Sequence, residues 1–200
     1  MRALLLVAGL LMLGCAGPLA AQRPAHRDRY DDTFRKYSKR FFGPAFDWQY
    51  FKAQGLAESG LDPKARSPVG ARGVMQLMPG TYAMIKSRRK ELGAIENPEW
   101  NIAAGILHDR GLWLRWDSAA TAQERARFMF GSYNAGEGPI LRARKLAHAK
   151  QLDGTMWTSI ETVAPNVPRW RYRETLPYVR RIEDNYGELQ AQSRSAPHRK

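Results

Sequence analysis

A carboxylate at the end of an apolar, helix-like segment is the first residue of this sequence that could do chemistry. Glu58 lies near the end of residues 46–59, FDWQYFKAQGLAES, in which apolar residues recur every three or four positions. Gly60 is typical of the position just beyond a helix, so Glu58 is expected in the last helical turn. The helix carbonyls there, together with cover from the following apolar residues, would raise the pKa of Glu58. A carboxyl group that keeps its proton near neutral pH can act as a general acid.

Three further segments bring hydroxyl, amide and aromatic side chains that could hold a substrate. They are SPVGARGVMQLMPGT from Ser67, SYNAG from Ser132 and ETLPYV from Glu174. The segment around Glu58 alone would favour an ordinary solvated glutamate at a helix end. All four segments together, in order and spacing, resemble the lytic transglycosylases of the goose-type lysozyme superfamily over most of residues 46–187. The resemblance is strongest to the catalytic module of the membrane-bound F-type enzyme and to the soluble lytic transglycosylase domain.

The resemblance implies roles for individual residues, carried over by position. Glu58 corresponds to the family's single catalytic acid and base, and Ser59 and Glu174 are expected to support the site. Ser67 corresponds to a hydroxyl that contacts the reacting sugar or its N-acetyl group. The residues expected to bind substrate in one groove are Ser67, Gln76, Met78, Tyr133, Asn134 and Tyr178.

Some of these positions also have a purely structural interpretation. Tyr133 could be an interior tyrosine whose hydroxyl is satisfied by the protein, although its place in a matched segment favours the groove. Asn134 could hold the backbone of its turn instead of touching sugar. Met75 is expected to fill the core, whereas Met78 is expected to wall the groove.

Another helix is expected to buttress the site. Asn101, Ile102 and Gly105 match the family at this helix. His108 and Asp109 stand where the family usually has tyrosine and leucine. This departure is expected to alter the local packing rather than the chemistry.

The resemblance implies a reaction that needs only one carboxyl group. Glu58 would protonate the oxygen that bridges N-acetylmuramic acid and N-acetylglucosamine, and would then take a proton from the C6 hydroxyl as a 1,6-anhydro ring closes. Most glycosidases use two carboxyl groups instead. A hydrolytic muramidase is therefore one alternative, with Asp62 or Glu137 as the second carboxylate. The other alternative is a catalytically silent protein that binds the cell wall or helps to assemble a structure on it.

The elements expected to position these residues are helices. No alternating strand pattern of any length is found, whereas helix signals are frequent. Thr121 and Glu124 form a capping box. Asn97 and Pro98 form an N-cap and first turn, and Pro139 similarly opens a helix. The sequence therefore predicts an all-α fold of six to eight short helices, and the resemblance makes it a lysozyme-like single domain.

The two ends of the chain differ in composition from its centre. Residues 1–21 carry one arginine, an apolar run and then small residues, which is typical of a secretory signal peptide and too short for a membrane-spanning helix. Residues 22–33 are polar and aperiodic and are expected to be a flexible lead-in. Residues 190–200 are expected to be a disordered tail for the same reason. The catalytic domain is expected to span residues 34–189.

Cys15 leaves two interpretations of the signal open. It is the only cysteine of the sequence, so no intramolecular disulfide is expected. Cleavage near Ala21 would make Cys15 incidental, and this is the favoured interpretation. Cleavage before Cys15 would give a lipoprotein anchored through a lipid on that cysteine. In both cases the protein is expected to be exported, with the periplasm as its location.

The charge of the chain indicates the kind of partner. A formal net charge of +13 and an isoelectric point of about 10.2 favour an anionic partner. Export and the lack of a recognised nucleic-acid motif argue against nucleic acid and favour peptidoglycan glycan strands. An envelope or secretion-machinery protein is a further candidate, and membrane contact is expected only through a lipid on Cys15. The four histidines lack the spacing of metal ligands, so neither a metal nor another cofactor is expected.

Overall fold

The computed structural model describes residues 28–195, so the predicted signal peptide and Cys15 lie outside the described residues. The helices are α1 Asp31–Phe42, α2 Gln49–Ser59, α3 Pro79–Arg88, α4 Pro98–Arg115, α5 Ala122–Ala135, α6 Glu137–Ala149, α7 Trp157–Val163 and α8 Tyr172–Ser195. A 3-10 helix, Ala164–Asn166, follows α7. The predicted all-α fold is confirmed for this part of the chain, although α8, with 24 residues, is not short. None of these helices is both long and apolar enough to cross a membrane.

The helix that carries Glu58, α2, is packed against two other helices. Both α8 and α1 pack against it. Its buried residues are Gln49, Phe51, Lys52, Ala53, Gln54 and Gly55. Of the apolar stripe that predicted this helix, Ala53 is fully buried, whereas Tyr50 and Ala57 are only partly buried. A helix packed against two others buries more than one face. As a result, polar residues of α2 are also taken into the interior.

Two of the predicted helix starts are confirmed and one was misplaced. Thr121 Oγ1 accepts the backbone N–H of Glu124 at 3.1 Å. Asn97 Oδ1 accepts the backbone N–H of Glu99 at 2.9 Å. By contrast, α6 begins two residues before Pro139. Proline is tolerated there because the backbone N–H groups of the first helical turn have no acceptor within the helix, so the N–H that proline lacks is not needed.

The first and last helices extend beyond residues 34 and 189, the predicted ends of the catalytic domain. α1 begins at Asp31, whose carboxylate pairs with the buried ammonium group of Lys52. α8 continues past the predicted boundary, and Gln190 Nε2 donates to Asp47 Oδ2 at 2.6 Å and to Gln49 Oε1 at 2.7 Å. Polar residues with the composition of a solvated lead-in and tail are thus held by partners near the start of α2. Composition alone does not distinguish such residues from disordered ones.

Candidate active site

Glu58 lies in the last turn of α2, as predicted. Gly60 ends the helix in the left-handed conformation, with φ of 64°, which glycine adopts without strain. The Ser59 hydroxyl donates to the carbonyl oxygen of Val74 at 2.8 Å. This bond ties the end of α2 to the loop that follows it, which fits the supporting role expected for Ser59.

The environment of Glu58 favours the protonated form of its side chain. Burial raises the pKa of Glu58 to about 7. Two groups on α8 oppose burial in part: the Tyr178 hydroxyl donates to Glu58 Oε1 at 2.6 Å, and the positive charge of Arg181 favours the carboxylate. The side chain nevertheless keeps a partly exposed surface. Because both protonation states are populated near neutral pH, this group can give a proton and take one back.

The loop between α2 and α3 is fixed by its own backbone. Arg72 forms isolated antiparallel bridges with Arg66 and with Leu77. Gln76 has a positive φ of 43° in this turn, a conformation that costs energy for a residue with a side chain. Its Nε2 donates to the carbonyl oxygen of Gly73 at 2.9 Å, which stabilises the turn. Part of the Gln76 amide, expected to bind substrate, is therefore used to hold the loop.

Two other predicted substrate contacts lie on the same loop. Ser67 Oγ accepts the backbone N–H of Ala71 at 3.0 Å. A hydroxyl keeps a donor and a second acceptor position, so Ser67 is still able to bind another group. Met78 is the N-cap residue of α3, and 43% of it is exposed. Its place at the surface end of the loop is compatible with a groove wall, and both contacts with sugar stay predictions.

One face of α4 supports this loop from behind. Asn101 Oδ1 accepts the backbone N–H of Met75 at 2.8 Å, and its Nδ2 donates to the carbonyl oxygens of Arg72 and Ile95 at 2.9 and 3.1 Å. At Gly105, a Cβ atom would lie 2.8 Å from the side chain of Met75, so only glycine lets the loop approach this closely. The buttressing arrangement expected for this helix is therefore present.

The two tyrosines expected in the groove use their hydroxyls inside the protein. Tyr133 donates to the carbonyl oxygen of Met75 at 2.8 Å, as in its structural interpretation. Tyr178, only 2% exposed, donates to Glu58. Burial raises the pKa of both tyrosines well above the ordinary value, and the charge of Glu58 raises it further. The geometry places Tyr178 against Glu58, the candidate catalytic acid.

Asn134 and Glu174 line one small surface cavity, together with Arg171 and Trp170. Glu174 Oε2 lies 3.0 Å from the guanidinium of Arg171, and half of the Glu174 side chain is exposed. Its expected support of the site stays a prediction. The contact of Asn134 with sugar stays a prediction.

Two residues near Glu58, Asp109 and Gln54, are not among the site residues that the sequence predicts. Both are fully buried, and Gln54 Nε2 lies 3.4 Å from Asp109 Oδ1. Beside them, the ring of His108 lies 5.3 Å from that of Tyr133. The sequence feature that points to Asp109 is the departure from the family at positions 108 and 109, from which only a change of local packing is predicted. The structure shows that it brings a second carboxyl group into the interior near Glu58.

The carboxylates proposed for a hydrolytic alternative are engaged elsewhere. Asp62 is exposed and accepts the backbone N–H of Lys64 at 2.8 Å. Glu137 lies 3.1 Å from the guanidinium of Arg115 at the surface. Within residues 28–195, no group of three or more histidine, cysteine, aspartate or glutamate side chains is placed to hold a metal ion.

The fold is that of the lysozyme-like domains of lytic transglycosylases. The chain superimposes on the 70 kDa soluble lytic transglycosylase of Escherichia coli with a TM-score of 0.59 and 25% identity, over 82% of this chain and 26% of that one. A complex of the 70-kDa soluble lytic transglycosylase with bulgecin A gives a TM-score of 0.64 and 25% identity, over 83% and 25% of the two chains. The family model for the transglycosylase SLT domain matches residues 36–154. The chain therefore belongs to the transglycosylase SLT domain family.

Curated relatives support the same assignment. The chain is 33% identical to membrane-bound lytic murein transglycosylase F of Shewanella woodyi over 153 residues, which is 74% of this chain and 30% of that protein. It is 31% identical to the protein of the same name from Vibrio parahaemolyticus over 152 residues, 75% of this chain and 27% of that protein. The chain thus spans less than a third of the length of these relatives.

Proposed function

We propose that this protein is an exported peptidoglycan lytic transglycosylase. It cleaves the β-1,4 bond between N-acetylmuramic acid and N-acetylglucosamine and leaves a 1,6-anhydro-N-acetylmuramic acid end. The observation that carries this proposal is the carboxyl group of Glu58, whose pKa of about 7 is set by burial at the end of α2. The family model covers this residue, and the relatives described above are named lytic murein transglycosylases.

In the first step Glu58 acts as an acid. Its carboxyl proton passes to the bridging oxygen as the bond from that oxygen to C1 of the muramoyl residue breaks. The carbonyl oxygen of the muramoyl N-acetyl group stabilises C1 as a transient oxazolinium ion. Glu58 is left as a carboxylate, and the Tyr178 hydroxyl and the charge of Arg181 stabilise that form.

In the second step Glu58 acts as a base. Its carboxylate takes the proton of the C6 hydroxyl, and O6 forms a bond to C1 as the oxazolinium opens. The acid form of Glu58 is regenerated, so one carboxyl group completes the cycle. Water must be excluded from C1 for this outcome, and we assign that task to Met78 and Tyr133.

The charge of the protein supports peptidoglycan as its substrate. A formal net charge of +13 favours binding to a polymer that carries anionic peptides. We propose that the signal peptide directs the protein to the periplasm and is removed near Ala21. In that case, the intact mass of protein from its host corresponds to cleavage at this site, and a mass with an acylated Cys15 would contradict it.

Digestion of purified murein in water enriched in heavy oxygen tests the reaction. Ring closure takes no oxygen from water, so the products should be one water lighter than hydrolytic products and should carry no heavy oxygen. Borohydride should leave their muramoyl ends unreduced. Reducible, labelled ends would instead make the protein a hydrolytic muramidase, and murein binding without any product would make it a wall-binding protein. The Glu137→Gln variant is a matched control, because it removes a candidate second carboxylate and should act like the wild type.

A further inference from the structure

Two buried polar atoms near Glu58 have no hydrogen-bond partner within the described part of the chain, and they belong to one contacting pair. They are Gln54 Oε1 and Asp109 Oδ2. The other atoms of these two side chains meet, since Gln54 Nε2 donates to Asp109 Oδ1 at 3.4 Å. An ionised Asp109 would leave two acceptors unsatisfied in a fully buried place, which is costly. A proton on Asp109 Oδ2 could instead be donated to Gln54 Oε1, and one proton would satisfy both atoms.

The groups around Asp109 also disfavour its charge. The titratable groups that face it are Glu58 on α2, Tyr133 on α5 and Tyr178 on α8, all of which are neutral or negative. The neighbouring Arg110 places its guanidinium 5.2 Å from the ring of Phe42 instead. Burial raises the pKa of Asp109 well above its ordinary value, and the Glu58 carboxylate raises it further.

Gln54 connects this pair to the candidate catalytic acid. It precedes Glu58 by four residues on α2, so the two side chains lie on the same face, one turn apart. Asp109 belongs to the face of α4 that also carries Asn101 and Gly105, which hold the active-site loop. The pair therefore joins the two helices that position Glu58 and the loop.

We propose that Asp109 is held as an uncharged carboxylic acid, hydrogen-bonded to the amide of Gln54, and that the pair is a positioning device for Glu58. Glu58 changes its charge twice in each catalytic cycle. With Asp109 neutral, Glu58 is the one carboxyl group near the reaction whose charge alternates. The kinetic part of this inference rests on the proposed function, whereas the protonation of Asp109 does not.

The Asp109→Asn variant tests the protonation state through activity. An asparagine amide can make both bonds to Gln54, donating to Oε1 and accepting from Nε2. If Asp109 is neutral, the pH–rate profiles of variant and wild type should coincide, with a fall in rate as pH rises past the pKa of Glu58. If Asp109 is ionised, the substitution removes a negative charge beside Glu58, and the fall should move to lower pH. That shift would overturn the proposal.

The same variant gives a second result that requires no activity. A raised pKa means that the folded protein binds a proton which the unfolded chain has lost, so the stability falls as pH rises. Between about pH 5 and pH 6, the unfolding constant of the wild type should increase about tenfold more than that of Asp109→Asn. Parallel stability curves would show that Asp109 is ionised in the folded protein. If murein is not cleaved at all but this difference is found, the proposed function fails and the protonated pair stands.

The positioning role is tested by making the pair apolar. The double variant Gln54→Leu, Asp109→Leu leaves no orphaned polar atom and should fold, whereas the single Asp109→Leu variant strands the buried amide and should melt lower. The double variant should lose about tenfold in kcat with KM unchanged. The high-pH fall should move upward, because an apolar neighbour raises the pKa of Glu58 further. A folded double variant with the kcat and pH profile of the wild type would reduce the pair to a packing feature.

Discussion

Helix α2 places an ionisable residue in a largely buried environment near each of its ends, and the two residues have different partners. Near the start, the ammonium group of Lys52, 2% exposed, contacts the carboxylate of Asp31 and lies 3.7 Å from that of Asp28. Near the end, Glu58 accepts a hydrogen bond from Tyr178 and, among residues 28–195, forms no ion pair. One charge is compensated by carboxylates in direct contact with it. The other accepts a hydrogen bond from a neutral partner, and the charge of Arg181 opposes the effect of burial only in part.

This difference indicates that the charge of Lys52 stabilises the fold, whereas the carboxyl group of Glu58 is suited to proton transfer. A paired buried charge is fixed in one state, because losing either partner leaves the other stranded. A buried carboxyl group whose charge is compensated only in part is instead shifted towards its neutral form, and the pKa of Glu58 rises to about 7 for that reason. The same helix thus anchors α1 at one end and offers a transferable proton at the other.

The largest effect is expected from Glu58→Gln. Glutamine keeps the shape and can still accept the bond from Tyr178, but it cannot give or take a proton. General acid–base catalysis is worth about 10²–10⁴-fold, and in the proposed mechanism one group acts as both acid and base, so kcat on murein should fall by at least about 10⁴-fold. Thermal melting should show a protein at least as stable as the wild type. A folded variant with near-normal activity would remove Glu58 from the mechanism.

Near the start of α2, we expect a substitution to lower stability and leave activity unchanged. Asp31→Asn leaves the buried ammonium of Lys52 without its main partner and should cost about 3 kcal/mol of stability in denaturant unfolding. Activity well below the melting temperature should be unchanged. Asp32→Asn is the matched control, since the fully exposed Asp32 lies 3.1 Å from the exposed Arg35 and its loss should change stability little. Equal stability of the two variants would contradict the structural role of the Lys52 pair.

The raised pKa of Glu58 should also make the stability of the protein depend on pH. The pKa of Glu58 is raised from 4.5 to about 7, so its contribution to stability is full below about pH 4 and is lost as pH rises towards 7. Glu58→Gln lacks this loss. Its stability relative to the wild type should therefore grow by about 2 kcal/mol between about pH 5 and pH 7, measured by denaturant unfolding. A constant difference would mean that the carboxyl group is not perturbed.

A smaller effect is expected from Tyr178→Phe. The hydroxyl stabilises the carboxylate form of Glu58, so its removal should raise the pKa of Glu58 by about one unit and move the high-pH fall in rate upward. Tyr133→Phe is the control, because that hydroxyl bonds the carbonyl oxygen of Met75 instead. It should leave the position of the fall unchanged. Equal shifts in the two variants would show that the bond to Glu58 is not the cause.

The sequence predicts those features of the fold and site that depend on neighbouring residues. The caps at Thr121 and Asn97 and the helix end at Gly60 are local, and the structure confirms them. The bond from Tyr178 to Glu58 joins residues 120 positions apart, and no local pattern reveals which polar atoms meet over such a distance. The resemblance therefore identifies Tyr178 as a site residue but does not predict its hydrogen bond to Glu58.

The contacts that the sequence does not reveal have the same physical origin. The end of α8 is polar, and polar composition predicts a disordered tail unless the partner side chains are known. Gln190 finds such partners at the start of α2. Likewise, Asp109 interrupts an apolar helix, and only the tertiary structure shows that Gln54 meets it there.

The most direct test of the central claim is a titration of the Glu58 carboxyl group in the wild-type protein. Carbon-13 labelling of the glutamate side chains makes their ionisation visible by NMR, and the signal missing from the Glu58→Gln spectrum identifies Glu58. We expect its midpoint at about pH 7, where burial places the pKa. A midpoint near 4.5, the ordinary value for glutamate, would contradict the account.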